Sequence, residues 1–199
     1  MFPDALFAEL EPVAAQVDSD LPLPPAPPVT IVLRQEDAAY IRPELSLNFL
    51  PRTNRSWDDL RVLLGAAAAM LDARSVEEVE QRTLDLALAV FPAGLAEIRR
   101  NRDGVISASS SVREGQASKL TGTALELVKR AAAERVSLLY LGDSTAIAAP
   151  LVAHGEPLGA LVIEASNAGQ RLDKHHLQLL TGIAAITAPA LATQLQRRG

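Results

Sequence analysis

The chain has 199 residues, of which 48% are hydrophobic and 22% are charged, a composition typical of a globular protein with one main core. It contains no cysteine, which excludes disulfides, thiolate metal sites, a cysteine nucleophile and thioether-linked cofactors. The formal charge of −5 comes with no basic stripe, so direct nucleic-acid binding is not expected. With neither a basic leader nor an apolar run near eighteen residues, we expect a cytoplasmic protein that does not bind membranes.

The first 55 residues are predicted to lie outside the main domain. Five prolines fall between Pro22 and Pro28, and proline blocks both helices and sheet ladders, so residues 1–28 are interpreted as a flexible arm. The branched residues of "VTIVLR", Val29 to Arg34, predict a strand. Residues 29–55 are therefore interpreted as an ordered linker with one strand, and residues 56–199 as the folded domain.

Two helices are predicted at the start of this domain. "SWDD" at Ser56 and "SVEE" at Ser75 each place a serine cap three residues before an acid, and Pro92 ends the second helix. The first helix has a narrow apolar stripe, typical of a coiled-coil contact, which we interpret as a homodimer interface. Packing of the same stripe against the second helix of the chain is the alternative. The stripe consists of Trp57, Leu60, Leu64, Ala67 and Leu71.

The rest of the chain has mostly strand-like patterns. Partial alternation on both sides of Asn101–Gly104 predicts a hairpin, and "TALE" at Thr123 predicts a helix to about Glu134. Three strands follow, "VSLLYL", "AIAAPLVA" and "LGALVIEAS". An alanine-rich helix, beginning at Asp173 and kinked or interrupted near Pro189, closes the chain. This order predicts an α+β fold with a mostly antiparallel sheet of five or six strands.

One pattern raises the question of catalysis. "LLYLGDSTA" and "DKHH" resemble two motif blocks of GDS-type serine hydrolases, with Ser144 as nucleophile and Asp173 and His176 as its partners. Only a hairpin fits between the two blocks, whereas that class needs a parallel sheet and further oxyanion donors. We therefore predict a turn in which Gly142 supplies a positive φ, and a helix start capped or charged by Asp173. No enzymatic activity, metal site or cofactor is expected.

Two long blocks carry a family resemblance. "IAAPLVAHGEPLGALVIEAS" and "RLDKHHLQLLTGIAAITAPALA" are similar to the paired central strands and the last helix of GAF domains, and the resemblance covers Ser56 to Gln196. Upstream, "YIRPELSLNFLPRTNRSWDD" is similar to the joint between a forkhead-associated domain and a GAF domain in bacterial transcriptional regulators. The resemblance implies a six-stranded antiparallel sheet with helices on one face and a small-molecule pocket on the other. It also implies dimerisation through the first and last helices.

One departure from the family bears on function. Ligand-binding relatives have a long segment that covers the pocket, where this chain has only "GDST", Gly142 to Thr145. Because an open concavity encloses little of a ligand, we expect a non-enzymatic regulatory module that dimerises and engages a protein partner or a fused regulatory domain. A small-molecule sensor is the alternative. Its pocket candidates are Ser109, Ser111, Tyr140, Ile147 and Leu172.

Overall fold

The computed structural model describes residues 28–41, 54–102, 105–113, 115, 119–165 and 171–198. The predicted arm therefore lies outside the described residues except for its last position, and so does most of the linker after residue 41. The elements in chain order are β1 (Val29–Arg34), a short 3-10 helix (Gln35–Asp37), α1 (Asn54–Leu71), α2 (Val76–Val90), β2 (Leu95–Arg102), β3 (Val105–Val112), α3 (Gly122–Glu134), β4 (Val136–Leu141), β5 (Thr145–Ala153), β6 (Glu156–Ala165) and α4 (Lys174–Arg198).

The strands form one antiparallel sheet in the order β1-β4-β5-β6-β2-β3. β1 pairs with β4 along its whole length, with Val29 opposite Leu141, so the segment ahead of the domain supplies one edge of the sheet. β5 and β6 are joined by His154 and Gly155, both at positive φ, as a two-residue hairpin of matching twist requires. The predicted α+β fold with an antiparallel sheet is confirmed, with six strands.

Helices cover both faces of this sheet. α4 packs on β5, and α2 packs beside it on β2 and β3. α1 contacts both of these helices, so the first and last helices of the domain pack together as predicted. Their approach is close, because a Cβ added to Gly182 would lie 3.0 Å from a methyl group of Leu63. α3 packs on the opposite face against β4, β5 and β6. α3 therefore covers part of the face on which the family resemblance implies a small-molecule pocket.

The helix starts confirm some predicted caps and correct others. Ser75 caps α2, since its hydroxyl accepts a hydrogen bond from the backbone of Glu78 at 3.1 Å. α1 begins at Asn54, so Ser56 lies inside the first turn and does not precede it. α3 begins one residue before Thr123, and its cap is Thr121. In both corrected cases the helix begins upstream of the predicted cap, and at α3 the hydroxyl of Thr121 accepts from the backbone of Ala124 in place of the predicted Thr123 cap.

The last helix is longer and more regular than the sequence suggests. α4 continues through Pro189 without interruption, because packing of its buried face against the sheet and α1 outweighs the loss of one backbone hydrogen bond. By length and hydropathy α4 could span a membrane, but 61% of its most apolar window is buried in the fold. This burial is typical of the core helix of a globular domain.

Candidate functional site

The apolar stripe on α1 is open to solvent. Trp57, Leu64 and Leu71 are 67%, 69% and 85% exposed, and Leu60 and Ala67 are partly exposed. A different side of α1 faces the core, and its buried residues are Asp59, Leu63, Ala66 and Met70. The alternative in which the stripe packs against α2 of the same chain is therefore not what the structure shows. Within the described residues, this surface is available for an interface.

A shallow groove extends this stripe onto the last helix. It has a volume of about 410 Å³ and runs between α1 and α4. Ala67 and Leu71 form one wall, while Ile186, Pro189 and Ala190 form the other. The stripe and the groove together make one apolar surface built from the first and last helices, which we call the α1–α4 face.

A buried carboxylate connects the segment before α1 to this helix pair. Asp59, 5% exposed, accepts a hydrogen bond from the Tyr40 hydroxyl and lies 3.1 Å from Nε2 of His175. The backbone of Ala39 donates to the side chain of Gln178 on α4 at 2.9 Å. Burying the Asp59 carboxylate is tolerable because both of its oxygens have partners. The turn after β1 is therefore held to α1 and α4 together.

The far end of α4 is held by a surface ion pair. Both terminal nitrogens of Arg198 bond the carboxylate of Glu77 at the start of α2. The hydrogen bond from Arg198 is the main cause that lowers the pKa of Glu77 from its ordinary value of 4.5 to about 2. The same hydrogen bond raises the pKa of Arg198. The pair ties the last turn of α4 to the first turn of α2 at the surface.

The N-terminal end of α3 is closed by an internal carboxylate. Glu164 on β6 is 2% exposed and accepts hydrogen bonds from the backbone and hydroxyl of Thr121, at 3.0 and 2.6 Å. It also accepts one from the hydroxyl of Ser144 at 3.3 Å. A carboxylate at a helix N-terminus is favourable because free backbone N–H groups and the positive end of the helix dipole lie there. An outside anion would have to displace Glu164 to bind at this position.

Small side chains close the middle of the same contact. Ala124 and Ala131 of α3, both fully buried, face strand positions that are also alanines. Short side chains on both surfaces allow the helix to lie close to the sheet, and dense packing of this kind leaves no room for a ligand. The strand alanines of this layer are Ala146, Ala148 and Ala160.

The "GDST" turn follows directly on this closed end. Gly142 is not at positive φ, so that part of the sequence prediction is wrong. The Tyr140 ring lies against this glycine, and a Cβ at position 142 would lie 2.4 Å from the Tyr140 hydroxyl, so a larger residue would displace the ring. The backbone of Gly142 donates to the carbonyl of Ser144 at 3.2 Å. "GDS" is thus a turn, as predicted, but one shaped by contact with Tyr140.

The structure does not assemble the serine hydrolase triad. Ser144 bonds Glu164 and, among the described residues, no imidazole. Asp173 and His176 cap α4 reciprocally: the carboxylate accepts from the backbone of His176 at 3.0 Å, and the imidazole Nδ1 accepts from the backbone of Asp173 at 3.1 Å. The prediction that Asp173 caps a helix is confirmed.

The five predicted pocket residues do not converge on one site. Tyr140 lies on the α3 face of the sheet. Ile147 and Leu172 are buried in the main core beneath α4. Ser109 faces α2, where its hydroxyl donates to Glu80 at 2.6 Å, and Ser111 shares that face by strand alternation. These residues belong to two layers separated by the sheet, so they cannot line a common pocket.

A cleft that sequence reasoning missed lies along the flank of α3 that faces β2 and β6. The cleft has a volume of about 460 Å³ and lies between α3 and the paired ends of β2 and β6. Its lining includes the cations of Arg99 and Lys129 and apolar groups such as those of Leu125 and Val128. Arg100 is also a lining residue, but its guanidinium bonds Glu80 of α2 on the other face of the sheet. The only sequence signal is the pair of arginines in a predicted strand, because the position of α3 beside that strand depends on tertiary packing.

In sequence, the chain matches no family model and no curated protein. In structure it is similar to the GAF domain of an Acinetobacter phosphoenolpyruvate-protein phosphotransferase, with a TM-score of 0.57, 10% identity, and coverage of 71% of this chain and 97% of that one. A putative GAF sensor protein from Burkholderia vietnamiensis gives a TM-score of 0.56, 13% identity, and coverage of 76% and 99%. A free methionine-R-sulfoxide reductase from Neisseria meningitidis, in complex with its substrate, gives 0.56, 14%, and coverage of 74% and 96%. The chain therefore has the fold of a GAF domain.

Proposed function

We propose that this chain is a non-catalytic regulatory module that acts as a homodimer through the α1–α4 face. The observation that carries the proposal is the exposure of Trp57, Leu64 and Leu71, which lie in line on one helix and have no cover within the described chain. Large apolar side chains exposed together mark interaction surfaces. Isologous pairing of two copies would bury the same stripe on both partners, which is the commonest symmetry of soluble oligomers.

The charges around the stripe fit such a contact. No residue of the stripe is charged, and ions of both signs lie at its margin, including the exposed pair of Asp58 and Arg61. A protein interface usually has a centre depleted of charged residues and a polar rim around it. The groove lined by Ile186 and Pro189 would receive side chains from the second copy beside α1.

The non-catalytic part of the proposal rests on chemistry. Ser144 has no imidazole beside it among the described residues, and the Glu164 oxygen that it bonds at 3.3 Å is held more closely by the Thr121 hydroxyl at 2.6 Å, so no serine–histidine–acid triad is present. One structural neighbour is a sulfoxide reductase, but this chain has no cysteine and hence no thiol to donate electrons to a sulfoxide. An esterase activity abolished by Ser144→Ala would contradict this assignment.

The partner and the setting complete the proposal. A dimer held through α1 and α4 brings two copies of the segment before α1 together, because Asp59 fixes that segment to the same helices. We infer that the module passes a signal to a protein partner or fused regulatory domain, in the cytoplasm of a bacterium and in the control of transcription. The sequence resemblance to regulators with a forkhead-associated domain supports this setting.

Mass in solution tests the dimer. Light scattering during gel filtration should give twice the chain mass of 21.2 kDa for the native protein, and the single chain mass for Leu64→Glu/Leu71→Glu. The matched control is Val32→Glu, because Val32 is 49% exposed but lies on β1, away from the α1–α4 face. A native monomer at tens of micromolar, or a double variant that remains dimeric, would overturn the proposal.

A further inference from the structure

We propose that the cleft along the flank of α3 that faces β2, which we call the α3 cleft, binds a small organic carboxylate with an apolar body. This inference goes beyond the proposed dimeric module and does not depend on it. Glu164, Thr121 and Ser144, which close the N-terminal end of α3, are not among the lining residues of the cleft. Its volume of about 460 Å³ is within the range of small-molecule sites.

The charge of the lining selects an anion. Two cationic groups face the cleft, those of Arg99 and Lys129, and no carboxylate is among its lining residues. Arg100 also lines the cleft, but it alternates with Arg99 along β2 and its guanidinium bonds Glu80 of α2 on the other face of the sheet. Lys129 is paired with Glu126, but both side chains are 71% exposed, and such a surface pair stabilises little. The Lys129 ammonium group can therefore turn from Glu126 to a bound anion at little cost.

Arg99 is positioned as a ready-made fork. Its Nε bonds Glu97, a carboxylate that is only 8% exposed and lies on the same face of β2. The two terminal nitrogens of Arg99 have no hydrogen-bond partner among the described residues. Because Glu97 bonds only the Nε of Arg99, the terminal N–H groups of Arg99 can bond both oxygens of a bound carboxylate.

The wall of the α3 cleft that α3 supplies is apolar, which is why we expect a ligand with an apolar body. Leu125, Val128 and Ala132 present aliphatic groups from successive turns of α3. An apolar wall facing a guanidinium fork suits a ligand whose charge is at one end, and burial of its apolar part supplies most of the affinity. A fully ionic ligand such as inorganic phosphate would leave this wall uncovered.

A matched pair of probes tests the inference by calorimetry. 1-Naphthaleneacetate should bind the full chain, and 1-naphthaleneacetamide, which has nearly the same shape without the charge, should bind about tenfold or more weakly. Equal affinity of acid and amide would overturn the proposal. So would the absence of saturable binding of the acid at millimolar concentration.

Variants locate the binding site. Arg99→Met should weaken binding of the acid by about ten- to a hundredfold, because it removes charge-assisted hydrogen bonds. Lys129 is exposed and Ala132 is partly exposed, so Lys129→Met and Ala132→Leu should keep the fold. Lys129→Met should weaken binding of the acid alone. Ala132→Leu should weaken binding of the acid and the amide equally, because the larger side chain fills the cleft. The control is Arg130→Met, on the same helix but outside the α3 cleft. If Arg130→Met weakened binding as much as Lys129→Met, the α3 cleft would not be the site.

Discussion

The N-terminal end of α3 and its flank towards β2 differ in how they meet the rest of the domain. At the N-terminal end, Glu164 binds Thr121 and Ser144. Along the flank towards β2, Arg99 and Lys129 line a cleft of about 460 Å³. One helix thus has an end closed by hydrogen bonds within the chain and a flank that borders open space, where the two terminal nitrogens of Arg99 have no partner among the described residues.

The largest effect is expected from opening the closed end. Glu164→Ala should destabilise the fold by about 2–3 kcal/mol in urea denaturation, because it removes charge-assisted hydrogen bonds from Thr121 and Ser144 and leaves a buried position unfilled. Glu164→Gln keeps the shape and should cost about 1 kcal/mol. The control is Glu126→Ala, an exposed glutamate on the same helix, which should change stability by less than about 0.5 kcal/mol. If the Glu164→Ala and Glu126→Ala variants were equally stable, the closed end would not depend on Glu164.

Two adjacent alanines compare the side of α3 that packs on the sheet with the side that lines the cleft. Ala131 is fully buried against the sheet, whereas Ala132 lines the α3 cleft. Ala131→Leu should overpack the contact and cost about 1–3 kcal/mol, while Ala132→Leu should change the free energy of unfolding by less than about 0.5 kcal/mol. Chemical denaturation of the two variants side by side measures the difference. Equal costs would mean that position 132 is packed as tightly as position 131, with no cleft beside it.

The order of elements could be predicted because its signals are local. Caps such as Ser75 and changes of apolar period along the chain locate each helix and strand. The stripe from Trp57 to Leu71 was also readable, since the spacing of residues on one helix fixes which side chains share a surface. Local signals of this kind do not depend on how distant segments meet.

The α3 cleft and the directions of the predicted pocket residues could not be predicted, because they depend on how distant segments pack. Strand alternation shows that Ser109 and Ser111 share a face, but not which face of the sheet it is. Ile147 lies between alanines that are buried on the other side, so hydrophobicity gave no sign of its direction. The α3 cleft depends on how far α3 lies from Arg99, which is set by packing between segments about thirty residues apart.

The smallest effect is expected from the ion pair of Glu77 and Arg198. This pair joins α2 and α4 on the face of the sheet opposite α3, so it serves as a reference for the variants of α3. Above about pH 4.5 Glu77 is ionised in both the folded and the unfolded chain, and its bond to Arg198 contributes fully. Because the pKa of Glu77 is about 2 in the folded chain, this contribution is lost as pH falls from 4.5 towards 2. Glu77→Gln should therefore lower Tm slightly at pH 6 and less at pH 3.

Salt and a second variant check this ion pair. Both side chains are more than half exposed, so added salt should shrink the effect of Glu77→Gln at pH 6. Arg198→Gln should lower Tm by a similar amount, and combining the two should add little. Neither variant should alter binding in the α3 cleft, which lies on the opposite face. A Glu77→Gln effect that grew as pH fell would contradict the lowered pKa.

The contrast between the closed N-terminal end of α3 and the cleft beside its flank is tested most directly by mapping where a probe molecule binds. Backbone amide chemical shifts of the ¹⁵N-labelled chain, followed during titration with 1-naphthaleneacetate, should change at Arg99, Lys129 and Gly159. The amides of Thr121 and Ser144 should stay constant, because Glu164 already occupies that end. Shifts concentrated at Thr121 and Ser144, with none at Arg99 and Lys129, would contradict the account.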